Sequence, residues 1–202
     1  MSLVYTIPDG TTEACYEIKK SRFIARLSLA TDRDQAMQAL AQAKQDYPDA
    51  RHHCWAYQIG PPHTPRLAAM SDDGEPNGTA GKPILNVIQH KEVGDLMLVV
   101  IRYFGGIKLG AGGLVRAYSQ SAQMAFDALN TKRYVELDSF SLLCDFQDEQ
   151  AIRHWLKQFE SEICSVEYAE RVKMHIKIDG QFQDELTLFL ATLKHAQMIQ
   201  TN

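Results

Sequence analysis

The sequence predicts an α+β protein of two domains, the second with a ferredoxin-like order of elements. Three observations carry this. Strand-like alternation and helix-like spacing follow one another along the whole 202-residue chain. One run, "LMLVVI" at 96–101, is apolar at every position, as a strand covered on both faces must be. After residue 131 the elements read β-α-β-β-α-β, a complete split βαβ pattern within a normal length for that unit.

Taken in order, "TTEACYEIKK" and "SRFIARLSLA" alternate around a polar break at 19–21 and predict two strands. Thr31 and Asp32 offer caps to a helix over "DRDQAMQALAQAKQDY", which Pro48 stops. "RHHCWAYQIG" predicts a third strand. Residues 60–83 hold five prolines and four glycines and predict a long loop of the kind that often carries function. "KPILNVIQHKE" predicts a short helix with Pro83 in its first turn, and "DLMLVVIRYF" the buried strand. A glycine-rich loop follows, then a helix over 113–129. Beyond it "YVELDSFSLLCDF" predicts a strand, "DEQAIRHWLKQFE" a helix, "EICSVEYAE" and "RVKMHIKIDG" a strand pair, "FQDELTLFLATLKHA" a helix and "QMIQ" a last short strand. The domains are expected over 1–131 and 132–202.

Composition is that of an ordinary globular chain, with 45% hydrophobic and 23% charged residues. No stretch has the roughly 18 apolar residues of a membrane span, and the first residues do not read as a secretory signal. The four cysteines form no C-x-x-C pair, so reduced thiols and a cytoplasmic location are expected. Residues 1–130 are neutral, and the whole net charge of −4 falls after them. No overall field draws a polyanion; any nucleic-acid contact must be a local patch.

Five glycines, Gly105, Gly106, Gly110, Gly112 and Gly113, crowd into nine positions around Lys108. Gly105 and Gly110 have phosphate-loop spacing, yet Ala111 and Gly112 stand where Lys and Ser/Thr are required. The dinucleotide fingerprint fails at Val115. Two readings stay open: a tight piece of backbone, or an anion or partner site built on helix amides with Arg102, Lys108 and Arg116. Asp72, Asp73 and Glu75 form an acidic cluster that suits partner binding, loop ordering or a plain turn better than a metal. Its carboxylates are expected near those cations or near the start of the 113–129 helix. His52, His53 and Cys54 supply too few ligands on one strand face for zinc, and no orienting third group for a Cys54 nucleophile. In the second domain Arg171, Lys173, His175 and Lys177 alternate onto one face, either facing RNA or balanced by Glu162, Glu167 and Glu170.

"SDDGEPNGTAGKPIL" (71–85) and "VVIRYFGGIKLGAGGLVRAYSQSA" (99–122) resemble the paired signatures of the IMPACT family, with "HHCWAY" (52–57) as the preceding strand. The tail resembles the small C-terminal domain of bacterial YigZ-type members. The resemblance implies a first domain like domain 2 of ribosomal protein S5, and a second like the ferredoxin-type domains of elongation factor G. It further implies a translational role without chemistry or cofactor. Eukaryotic members are translational regulators that compete for the activator of a kinase switched on by amino-acid starvation. They lack the tail, so their partner does not transfer directly. The expectation is a cytosolic regulator contacting ribosome-associated RNA or protein. An enzyme or binder of a small phosphorylated metabolite, using the 105–113 loop, is the alternative.

Overall fold

In the computed structural model, which describes residues 4–199, the chain divides into two compact units, Tyr5–Tyr134 and a second beginning at Val135. The first unit is built on five strands: β2 (Thr12–Ile18), β3 (Ser21–Leu29), β4 (His52–Ile59), β5 (Leu67–Ser71) and β6 (Leu96–Tyr103), with β1 (Val4–Pro8) standing apart. Its helices are α1 (Arg33–Asp46), α2 (Gly81–Gln89) and α3 (Ala111–Asp127). The sheet order is β2-β3-β6-β4-β5, antiparallel throughout.

The all-apolar β6 is the central strand, and its alternation explains its composition. Leu96, Leu98 and Val100 enter one core with Ile84 and Ile88 of α2 and Leu114, Tyr118 and Ala122 of α3. Met97, Val99 and Ile101 enter the opposite core with Ala36 and Ala43 of α1. Period-two side chains thus serve two layers of helix, and a polar residue on either face would be desolvated. The Asp32 carboxylate accepts the Gln35 amide at 2.8 Å to start α1, as its sequence position predicts.

Two strands lie outside the expected set. β5 falls inside the predicted 60–83 loop and pairs with β4 at the sheet edge. β1 pairs with β7 (Thr131–Val135), which precedes β8 (Leu137–Cys144). The single strand expected over 134–146 is therefore two. Its first residues pair back to the beginning of the chain, and the break falls at Glu136.

The second unit continues with α4 (Phe146–Leu156), β9 (Ser161–Tyr168), β10 (Val172–Asp179), α5 (Gln183–Thr192) and β11 (Gln197–Ile199). Its antiparallel sheet has the order β11-β8-β10-β9. This is the ferredoxin-like arrangement, and the fold is α+β as the sequence predicts. Val172, Met174, Ile176 and Ile178 pack against Ile152, Leu156, Leu186 and Leu190 of the two helices. Lys173, His175 and Lys177 alternate onto the other face. No helix among the described residues is long and apolar enough to cross a membrane.

Candidate functional site

The acidic loop between β5 and α2 is held down by its own carboxylates. Asp72 accepts the amides of Gly78 (2.8 Å), Ala80 (3.0 Å) and Gly81 (2.8 Å), and so caps the start of α2. Burial alone would raise its pKa. The three amides overcome that and hold the carboxyl below the usual carboxylate range. Asp73, in the left-handed region at φ 40°, accepts the His53 amide at 2.7 Å and lies 3.8 Å from the Lys44 ammonium. The Asp73 carbonyl accepts from His52 Nδ1 at 2.8 Å.

Glu75 turns inward instead. Its carboxylate takes Arg102 Nη1 at 2.5 Å and the Tyr118 hydroxyl at 2.9 Å, with both charged side chains at least nine-tenths buried. Arg102 Nε is buried with no hydrogen-bond partner among the described residues. Cys54 Sγ lies within hydrogen-bonding distance of the Asp72 carbonyl (2.9 Å) and the Tyr118 hydroxyl (3.2 Å). Burial pushes its thiol up to about 12. Such a thiol stays protonated near neutrality and is a poor nucleophile.

The glycine loop leaves β6 across from this carboxylate. A side chain at Gly105 would place its Cβ 2.0 Å from the Lys20 carbonyl carbon, so only glycine lets the two segments touch. Gly110, at φ 73°, forms the turn into α3, and its carbonyl accepts the Leu114 amide at 2.9 Å. The amides of Ala111, Gly112 and Gly113 therefore precede the first bonded one. No side chain among the described residues caps this helix, and its first turn holds no acid. An aspartate carboxylate caps the starts of both α1 and α2, Asp32 from the cap position and Asp72 from the preceding loop; α3 starts open.

That open start faces a cavity of about 330 Å³. Arg51, His52, Glu75, Arg102 and Lys108 supply its polar wall. Phe104, Leu109 and Leu114 supply apolar surface, and Gly110–Ala111 bring the helix terminus. The register that sets His52 of β4 opposite Arg102 of β6 delivers Arg51 to the rim.

Of the residues singled out in the sequence, the cavity gathers Glu75, Arg102, Lys108 and Gly110. The expected meeting of the acidic loop with a loop cation is made by Glu75 and Arg102. Asp72 goes to the start of α2 rather than of α3, and Asp73 to Lys44. Arg116 and Gly113 line a separate hollow of about 640 Å³ with Tyr16 and Lys19. Gly106, at φ 85°, shapes the exposed crest of the loop, and a Cβ at Gly112 would meet only the end of the Arg116 side chain, at 3.7 Å. Arg51, Phe104 and the inward side of His52 went unread as parts of a site, because only the cross-strand register reveals them.

In the second unit Arg171 precedes β10 and is bound to Asp145 at 3.0 Å and to the His195 carbonyl. Lys173 and Lys177 stand opposite Glu167 and Glu162 on β9. His175 meets Ser141 at 2.9 Å.

Comparison with known proteins bears on both units. The Impact N-terminal domain matches residues 19–126, and a domain of unknown function (DUF1949) matches residues 142–197. The chain is 38% identical to an IMPACT family member of Haemophilus influenzae, over 91% of each protein. It is 36% identical to the IMPACT family member YigZ of Escherichia coli, over 96% of this chain and 95% of that one. A crystal structure described as that of a hypothetical protein superposes with a TM-score of 0.78 at 34% identity, covering 100% of this chain and 98% of the other.

Proposed function

The chain belongs to the IMPACT family, and we propose that it regulates translation by binding a component of the translation machinery, with the β6–α3 loop as its contact. The observation that carries the reading is on that loop. Phe104 and Ile107 are 55% and 46% exposed, beside exposed Lys108, on a backbone pinned against β3 through Gly105. Bulky apolar side chains presented with a cation on a fixed loop are the makings of an interaction patch. A fixed loop also loses little freedom on docking.

Binding is favoured over chemistry for two reasons. The buried carboxylate Glu75 is committed to Arg102 and Tyr118, and the buried thiol Cys54 is held protonated. Neither this carboxylate nor this thiol is thus available as base or nucleophile. A cytosolic site of action and contact with ribosomal RNA or a ribosome-bound protein belong to the same proposal.

Co-sedimentation of the full chain with purified ribosomes tests it. Binding is expected for the native chain and lost on Phe104→Ser with Ile107→Ser. No binding at micromolar chain, or equal binding by the double variant, overturns the reading.

A further inference from the structure

We infer that the cavity at the start of α3 receives a nucleoside phosphate, with the phosphate on the helix amides and the base against Phe104. The inference rests on the loop being the chain's contact surface, and it names the chemistry that the surface reads.

Four features converge. The first is the uncapped 17-residue α3, whose start at Gly110–Ala111 lines the cavity with the positive end of the helix dipole behind it. The second is independent of it. Arg102, nine-tenths buried and lining the cavity, keeps its Nε without a partner among the described residues. A buried guanidinium nitrogen left this way is a donor short of an acceptor.

The third is the charge balance of the wall. Glu75 is the acid lining the cavity, and its charge is matched by Arg102 at 2.5 Å. Arg51 and Lys108 on the rim make no ion pair among the described residues, and both are exposed. A phosphate monoester, which carries about −1.5 to −2 charges near neutrality, answers two cations and a helix terminus better than a carboxylate does.

The fourth is the apolar side. Phe104 is 55% exposed and borders the cavity, with the Arg102 guanidinium carbon 5.7 Å from its ring centroid. An aromatic face beside cations is a platform on which any base can stack. The cavity's 330 Å³ lies in the range of small-molecule sites, about 300–1,000 Å³. One ligand chemistry suits the helix terminus, the rim cations and the aromatic face, and it has two sources: a free mononucleotide, or the 5′-phosphorylated end of an RNA strand.

Calorimetric titration of the full chain separates the sources. Its arms are adenosine 5′-monophosphate, adenosine, and a short single-stranded oligoribonucleotide with and without its 5′-phosphate. Binding of either phosphorylated ligand, with its unphosphorylated counterpart weaker by about tenfold or more, is the expected result. Tighter binding by the mononucleotide or by the strand then names the source. Ala111→Asp places a carboxylate where the phosphate would sit and should weaken binding by about tenfold or more. An acid in a first helical turn favours the helix, so its melting temperature should hold. Should it fall, Lys108→Ala, an exposed change, replaces it with the same expected loss. No binding at millimolar ligand, equal binding of the unphosphorylated ligands, or unchanged affinity in these variants overturns the inference. Ribosome binding without nucleotide binding would sink this inference alone; nucleotide binding without ribosome binding would sink only the translation reading.

Discussion

The Glu75 carboxylate lies 2.5 Å from the Arg102 guanidinium, and both side chains are at least nine-tenths buried. This pair joins the acidic loop to the central strand beneath the cavity. A buried ion pair adds little net stability over an apolar pair of similar volume, but breaking one strands a charge. Glu75→Ala is expected to cost about 3–5 kcal/mol in chemical denaturation. Pairing Glu75→Leu with Arg102→Met should recover much of that loss, because neither charge is then left alone. A single variant as stable as the native chain would remove the pair from its structural role.

Two glycines of the 105–113 stretch should respond oppositely to alanine. At Gly105 the new Cβ would lie 2.0 Å from the Lys20 carbonyl carbon, a backbone atom in a turn already holding Lys19 and Lys20 at φ 47° and 63°. Gly105→Ala should therefore cost about 1–3 kcal/mol or more. At Gly112 the nearest atom to a new Cβ is the end of the Arg116 side chain at 3.7 Å, inside a helix. Gly112→Ala should stabilise by about 0.4–1 kcal/mol through the unfolded chain. Thermal melts of the two variants decide it.

The elements that sequence made legible are those written in local spacing. The double-faced strand at 96–101, the Asp32 cap and the β-α-β-β-α-β tail all follow from neighbours a few residues apart. The pairing of β1 with β7 joins residues more than a hundred positions apart, and neither strand is long enough to announce itself. β5, LAAMS, hides in a Pro-rich stretch because it is short and its alanines carry little strand propensity. In the site, charge predicted that a carboxylate of the 71–79 loop would find Arg102, Lys108 or Arg116. It did not predict which one. Asp72 is only nine residues from Gly81 and satisfies the nearer helix start. That leaves the α3 terminus open, the feature on which the cavity depends.

Thiol reactivity should divide the four cysteines by burial. Burial raises the thiols of Cys15, Cys54 and Cys144, but Cys15 and Cys164 are exposed to a reagent whereas Cys54 and Cys144 are buried. Titration with a thiolate-specific reagent at mildly alkaline pH should label the exposed two in the native protein and the other two only on unfolding. Rapid native labelling of Cys54, mapped by mass spectrometry, would contradict its placement under Tyr118 and restore a nucleophile to the site.

The acid limb of stability should carry the signature of Asp72. Three amides hold its carboxyl below the ordinary value against the opposing effect of burial. In the unfolded chain the group titrates near the ordinary value of about 3.9. A carboxyl whose folded pKa is depressed contributes stability that is fully present above the unfolded value and is lost as pH falls through the folded one. Asp72→Asn keeps an acceptor for the start of α2 but gives up the charge that faces the helix dipole. It also presents an amide nitrogen where one of the carboxylate oxygens bound the backbone. At neutral pH the variant should be less stable by about 1–2 kcal/mol. Asparagine does not titrate, so the gap between the two proteins should narrow steadily below about pH 4. Denaturant midpoints measured across that range check the sign. A gap that stays constant into strong acid would mean the carboxylate charge contributes nothing, leaving shape alone to place the loop at the head of α2.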